Sequence, residues 1–200
     1  MKKNRLIPKI AGETREDHIP LMFDESMELL LDYIETHEEI EKILEIGTAV
    51  GWSSMCMAGI RKTIHVDTVE IDLDMAEKAI HNIHDNDLRD QITVHHIDAL
   101  QYETGKIFDL IFIDAAKSQY MNYVDHFFTN SHPGTVFVFD NLNFHGIVDD
   151  PSLSHNRSTI QLTRKIREFR EQLSGDARFT TQFMDIGDGI AFAERIVQEV

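Results

Sequence analysis

Short apolar runs punctuate the chain at Lys42–Ile46, His65–Glu70, Ile92–His96, Phe108–Ile113 and Thr135–Phe139. Their apolar character is continuous, as in strands buried on both faces of a parallel sheet. Between them lie segments whose apolar positions recur at helical spacing, Trp52–Arg61, Asp74–Asn86 and Gln119–Phe128. The alternation predicts an α/β doubly wound sheet with helices on both faces.

The end of the chain breaks this order. A helical pattern at Thr159–Leu173 is followed by two strand-like runs, Phe179–Asp185 and Gly189–Glu194, with little more than Gly187-Asp188 between them. So tight a connection forces an antiparallel pair. A mostly parallel sheet that closes in a C-terminal antiparallel hairpin resembles the class I methyltransferase (Rossmann-like) fold. The segment through Tyr33 reads as one or two helices, so residues 1–40 are expected to cap an α/β core over residues 41–200 in a single domain.

Composition narrows the class. With 200 residues and 42% hydrophobic content the chain can bury one sizeable core. No apolar run approaches the roughly 20 residues of a membrane span, and Met1–Pro8 lacks a signal peptide's apolar stretch, so a cytoplasmic protein is expected. The single cysteine, Cys56, lies in an apolar helical pattern and reads as packing. A net charge of −16 opposes nucleic-acid binding unless basic residues gather locally. They gather at Lys2, Lys3, Arg5 and Lys9, and again at Arg157, Arg164, Lys165, Arg167 and Arg170. A solvated helix face of mixed charge accounts for the second group equally well.

Candidate chemistry sits where strands end. The first run leads into Glu45-Ile46-Gly47-Thr48-Ala49-Val50-Gly51-Trp52-Ser53, whose glycines allow a sharp turn and a close approach to a ligand. Glu45 beside that turn disfavours a pyrophosphate and suits a sulfonium cofactor, which points to S-adenosylmethionine. Glu70, about 20 positions on, is placed for a ribose diol, and Asp98 ends the third run where the adenine end would lie. Singly, each acid reads as a solvated strand end.

The fourth and fifth runs end at Asp114 and at Asp140-Asn141. If those strands are neighbours, their tips lie about 5 Å apart, and three oxygen ligands converge as Mg²⁺ or another hard divalent cation requires. Such an ion would activate a substrate hydroxyl, with Lys117 as the base. Asp140-Asn141 alone reads equally as a turn after a strand. No histidines show ligand spacing on one helix, while His18, His145 and His155 fall in loops near the site.

Taken in order, LEIGTAVGWS, VEID, FIDAAKSQY, FDN and GDGIAF resemble the cation-dependent O-methyltransferases of the catechol and caffeoyl-CoA type, over roughly Asp17 to Ala193. The resemblance implies cofactor contacts from Met22, Ser53, Glu70, Asp98 and Asp114, with Glu45 and Gly47 under the methionine moiety. It implies metal ligation by Asp114, Asp140 and Asn141, catalysis through Lys117 and Asp114, and a homodimer. Ile97 and Ser118 depart from glycines common in the family and remove no ligand. The segments His18–Met22, IFIDAAKSQY and DNLNFHGIV further resemble members that methylate 5-hydroxyuridine in tRNA, implying a tRNA partner. Residue physics alone favours a small phenolic acceptor.

Overall fold

The central strands form where apolar side chains fall on both faces of an extended segment, and the edge strands, third and sixth in chain order, are more polar: β1 (Lys42–Ile46), β2 (His65–Glu70), β3 (Ile92–His96), β4 (Phe108–Ile113), β5 (Ser131–Phe139), β6 (Phe179–Met184) and β7 (Ile190–Arg195). The computed structural model describes Ile7, Ile10, Ile19 and residues 21–197. Lys2, Lys3, Arg5, Lys9 and His18 lie outside the described residues. The helices are α1 (Asp24–Thr36), α2 (Trp52–Ala58), α3 (Leu73–Asp85), α4 (Tyr120–Phe127) and α5 (Arg157–Ser174).

One seven-stranded sheet has the order β3-β2-β1-β4-β5-β7-β6. The first five strands pair in parallel, and β7 inserts antiparallel between β5 and β6. Residue parity divides the core. Ile43, Leu110, Phe112, Val136 and Val138 face α1, α2 and α3, whereas Leu44, Ile111, Ile113, Phe137 and Phe139 face α4 and α5. Each fully buried side chain of this size contributes about 1.5–3 kcal/mol.

Register matters more to the site than depth of core. Ile113 pairs with Phe139 across β4 and β5, so the next residues, Asp114 and Asp140, leave the sheet side by side.

Element limits differ from the sequence pattern where polar groups intervene. The first helix after β1 stops at Ala58 and not Arg61, because the Arg61 guanidinium turns back to donate to the carbonyls of Ile34, His37 and Ile40 at 2.9, 2.9 and 2.7 Å. β5 starts at Ser131, ahead of its apolar run, by pairing with Phe108 across a register shift. α5 starts at Arg157 because the Asn156 side chain accepts the backbone N–H of Ser158 and Thr159. Cys56 is buried in α2, and burial pushes its thiol up to about 12, which keeps it unreactive. Among the described residues no helix is long and apolar enough to cross a membrane.

Candidate active site

A cavity of about 1150 Å³ opens across the carboxyl ends of β1, β2, β4 and β5. Its first wall is the glycine turn after β1. Gly47 has φ +101°, and a Cβ there would sit 2.3 Å from the Asp114 carbonyl oxygen, so only hydrogen fits between the two strand ends. Glu70, at the end of β2, accepts the Ala49 backbone N–H at 2.8 Å through one carboxylate oxygen and the Asp72 N–H at 2.9 Å through the other. It lines the cavity while fixing the turn beside it, and each oxygen keeps lone-pair capacity for a ligand hydroxyl. Ser53, Trp52 and the buried Met22 complete this end.

Glu45 is placed differently from the sequence expectation. It is fully buried and does not line the cavity. Parity puts it on the α2 side of β1, where it accepts hydrogen bonds from the hydroxyls of Ser53, Ser54 and Thr68. Burial raises its carboxyl to about 7, the three hydroxyls pull it down, and the Asp114 charge adds to the rise. Near neutral pH it therefore does not present a full negative charge, and its reach to the cavity runs through the Ser53 hydroxyl it orients. Asp98 also lies off the cavity lining. Its carboxylate accepts the Leu100 N–H at 2.9 Å and caps the short turn after β3.

The other end is built from β4 and β5. Asp114, Lys117 and Asn141 line the cavity, with the Lys117 ammonium 3.4 Å from an Asp114 oxygen and largely buried. Asn141 adopts φ 58°, a left-handed conformation that asparagine tolerates. Asp140 has no exposed surface, and neither of its carboxylate oxygens has a hydrogen-bond partner. Its carboxyl rises to about 8, first through burial, then through the Asp114 charge, while the nearby Asn141 backbone, too poorly aligned for a hydrogen bond, and Lys117 pull it back. Tyr120, wholly buried, donates to the Asp140 carbonyl at 3.0 Å and fixes that residue's backbone.

An orphaned buried carboxylate is costly unless a cation completes it. Among the described residues no three His, Cys, Asp or Glu side chains form a metal-holding group. The donor set is therefore two carboxylates and the Asn141 amide, all oxygen donors of the kind a hard divalent cation takes. On these grounds the residues fit such an ion.

Phe23, Phe144, His145 and Asp188 also line the cavity. Of these only His145 stood out in the sequence. Phe23 and Phe144 sit in irregular segments with no periodicity to flag them, and Asp188 reads as turn punctuation between strands. His155 is exposed and does not line the cavity.

A mostly parallel sheet of this order, closed by an antiparallel hairpin and carrying its cavity at the strand ends, is that of a class I methyltransferase. Comparison with known proteins refines the class. The chain belongs to the O-methyltransferase family, whose model matches residues 17–196. It is 30% identical over 167 residues to a catechol O-methyltransferase from Niastella koreensis, covering 78% of this chain and 73% of that protein. With a caffeoyl-CoA O-methyltransferase from Petroselinum crispum it shares 28% identity over 165 residues, 76% of this chain and 68% of the relative. Among solved structures, an O-methyltransferase from Bacillus cereus in complex with SAH superposes with a TM-score of 0.79 at 26% identity, covering 98% of this chain and 92% of that one. TomG from Streptomyces achromogenes, an O-methyltransferase of tomaymycin synthesis solved with SAM, gives 0.78 at 25% identity over the same shares.

Proposed function

We propose that the chain methylates a hydroxyl on a planar ring, using S-adenosylmethionine and Mg²⁺ or another hard divalent cation, with 5-hydroxyuridine at the tRNA wobble position as the acceptor. The observation that carries the cation-dependent transfer is the Asp140 carboxylate, buried without a partner beside Asp114 and Asn141, which line the cavity. When bound, the cofactor supplies an electrophilic methyl group, and the cation, held by Asp114, Asp140 and Asn141, supplies Lewis acidity toward the acceptor hydroxyl.

The chain's own residues do the rest. Lys117, positioned by its contact with Asp114, takes the hydroxyl proton at Nζ when it stands as the neutral amine, and the ammonium so formed is held by the Asp114 carboxylate. Glu70 holds the ribose, and Ser53, oriented by Glu45, faces the cofactor's amino-acid end. The walls formed by Met22 and Trp52 exclude water. Replacing Glu70 with alanine is expected to weaken cofactor binding by about 1–3 kcal/mol, since a charged acceptor is lost, roughly 5- to 150-fold in a calorimetric titration with S-adenosylhomocysteine. An unchanged dissociation constant would remove Glu70 from that role.

Support for tRNA comes from the segments IFIDAAKSQY and DNLNFHGIV. One observation favours a small phenol as the second reading. Of the basic residues on α5, Arg164 pairs with Glu168 at 2.9 Å, Arg170 pairs with Asp149 at 3.1 Å, and Arg167 donates to the Val148 carbonyl. Arg157 and Lys165 remain exposed with no ion pair among the described residues. Nucleoside mass spectrometry of bulk tRNA from a deletion strain separates the readings. Disappearance of 5-methoxyuridine carries the first; unchanged modification, with chelator-sensitive methylation of a catechol by the purified protein, carries the second. No methyl transfer to either acceptor sinks both.

A further inference from the structure

The loop after β5 runs through left-handed backbone, which Asn141 and Gly146 tolerate and Phe144 does not favour. Asn141, Phe144, His145 and Gly146 have φ of 58°, 44°, 57° and 78°. Phenylalanine rarely adopts such an angle unless the surroundings impose it, and histidine does so more readily. Here the imposing group is Asp188, at the turn between β6 and β7. One oxygen of its carboxylate accepts the His145 backbone N–H at 2.5 Å, and the other lies 3.8 Å from Nδ1 of the same residue. Its carbonyl accepts the Asn143 N–H at 2.8 Å, and the Gly189 carbonyl accepts that of Leu142 at 2.9 Å.

The turn is clamped from the opposite side as well. Ser26 of α1 donates to the Ile186 carbonyl at 3.1 Å, and a Cβ on Gly187 would collide with the Ser26 hydroxyl and press on Phe23. The hairpin tip is thus wedged between two lips of the cavity. Phe23 stands on one lip, Phe144 and His145 on the other. The Phe23 and His145 rings meet edge-on at 6.3 Å, and Phe144 lies 5.6 Å from His145.

Asp188 is 4% exposed, and its charge raises the carboxyl of Asp140 nearby. A buried acid near Asp140 is an expensive way to tie down a loop unless what it holds is needed. We propose that Asp188 is a positioning residue for the acceptor: it fixes the Phe144–Gly146 segment so that Phe144 and His145, facing Phe23, form an aromatic rim that receives a planar ring at the metal end of the cavity. This rests on the proposed transfer to a planar hydroxylated ring. Aromatic edges and faces arranged this way grip a flat acceptor and leave its hydroxyl directed inward, toward Asn141 and Lys117.

Two variants test it in the full-length protein. Asp188→Ala removes the acceptor of the His145 N–H, whereas Asp188→Asn keeps an oxygen able to accept it. Deuterium uptake of the peptide spanning residues 141–150 is expected to quicken at least tenfold in Asp188→Ala and to stay within threefold of the parent in Asp188→Asn. With a catechol and with tRNA carrying 5-hydroxyuridine as probe acceptors, Asp188→Ala should raise the acceptor KM at least tenfold. Affinity for S-adenosylhomocysteine should stay within twofold, and Asp188→Asn should recover most of the loss.

Unchanged uptake in Asp188→Ala overturns the proposal, as does a loosened loop with an unaltered acceptor KM. Equal losses in the alanine and asparagine variants also overturn it, because charge and not loop geometry would then matter. If the parent protein methylates neither probe, the proposed function fails on its own, and the uptake comparison still decides whether Asp188 holds the loop.

Discussion

Asp140→Asn is expected to yield a protein that folds better without metal and has lost its chemistry. In the parent a carboxylate with no exposed surface and no hydrogen-bond partner lies next to Asp114. Removing its charge relieves a penalty of order 1–3 kcal/mol, so the melting temperature in excess chelator should rise by several degrees. Methyl transfer should fall by about 10³-fold or more, a loss of roughly 4 kcal/mol of transition-state stabilisation. S-adenosylhomocysteine affinity should be little changed, since the cofactor walls are built elsewhere.

The pH dependence has a definite sign. The folded carboxyl titrates at about 8, above the value near 4 of an unfolded aspartate. The folded state therefore binds the proton more tightly, and stability is lost as pH rises from about 4 through about 8. The stability gap between Asp140→Asn and the metal-free parent should be widest above pH 8 and close as the solution is acidified. A variant that melts lower than the parent in chelator, or that retains turnover, would contradict the role given to Asp140.

Gly47→Ala should be nearly as damaging for a different reason. The added Cβ would lie 2.3 Å from the Asp114 carbonyl oxygen and 2.9 Å from its carbonyl carbon, both backbone atoms that cannot rotate away. The residue also needs φ +101°, which alanine disfavours. Backbone strain and overpacking together should cost about 2–4 kcal/mol of folding stability. Because relief requires pushing β1 and β4 apart at their ends, cofactor affinity and Asp114 placement should fail together. Denaturant unfolding and calorimetric titration check both losses. Wild-type stability with normal binding would mean that the turn is far more yielding than its geometry indicates.

The strands and the acids at their tips were legible because both follow from local pattern, whereas the order β3-β2-β1-β4-β5-β7-β6 was not, since pairing depends on contacts distant in sequence. A continuous apolar run marks a buried parallel strand, and the first acid after it marks the sheet edge where ligands bind. Asp114 and Asp140 follow from that reading, and the register of β4 against β5 then sets them abreast. Glu45 was legible as an acid near the glycine turn but not as a buried one. Its position depends on strand parity and on hydroxyls from Ser54 and Thr68 that converge only in three dimensions.

The end of the cavity lined by Phe23, Phe144 and Asp188 was least legible. Phe23, Phe144 and Asp188 come from three distant segments brought together by a hairpin tip, and no spacing rule connects them. The basic face of α5 could not be apportioned from sequence for a similar reason. Composition counts Arg167 and Arg170 as available charge, whereas the fold uses them to hold Val148 and Asp149.

The chain carries a single tryptophan, and that indole, Trp52, is a wall of the cavity beside the glycine turn after β1, with its Nε1 donating to the Ile7 carbonyl at 3.3 Å. Its ultraviolet emission accordingly comes from one place in the molecule. Occupancy there is readable by fluorescence in dilute solution, free of background from other indoles and without attaching a dye.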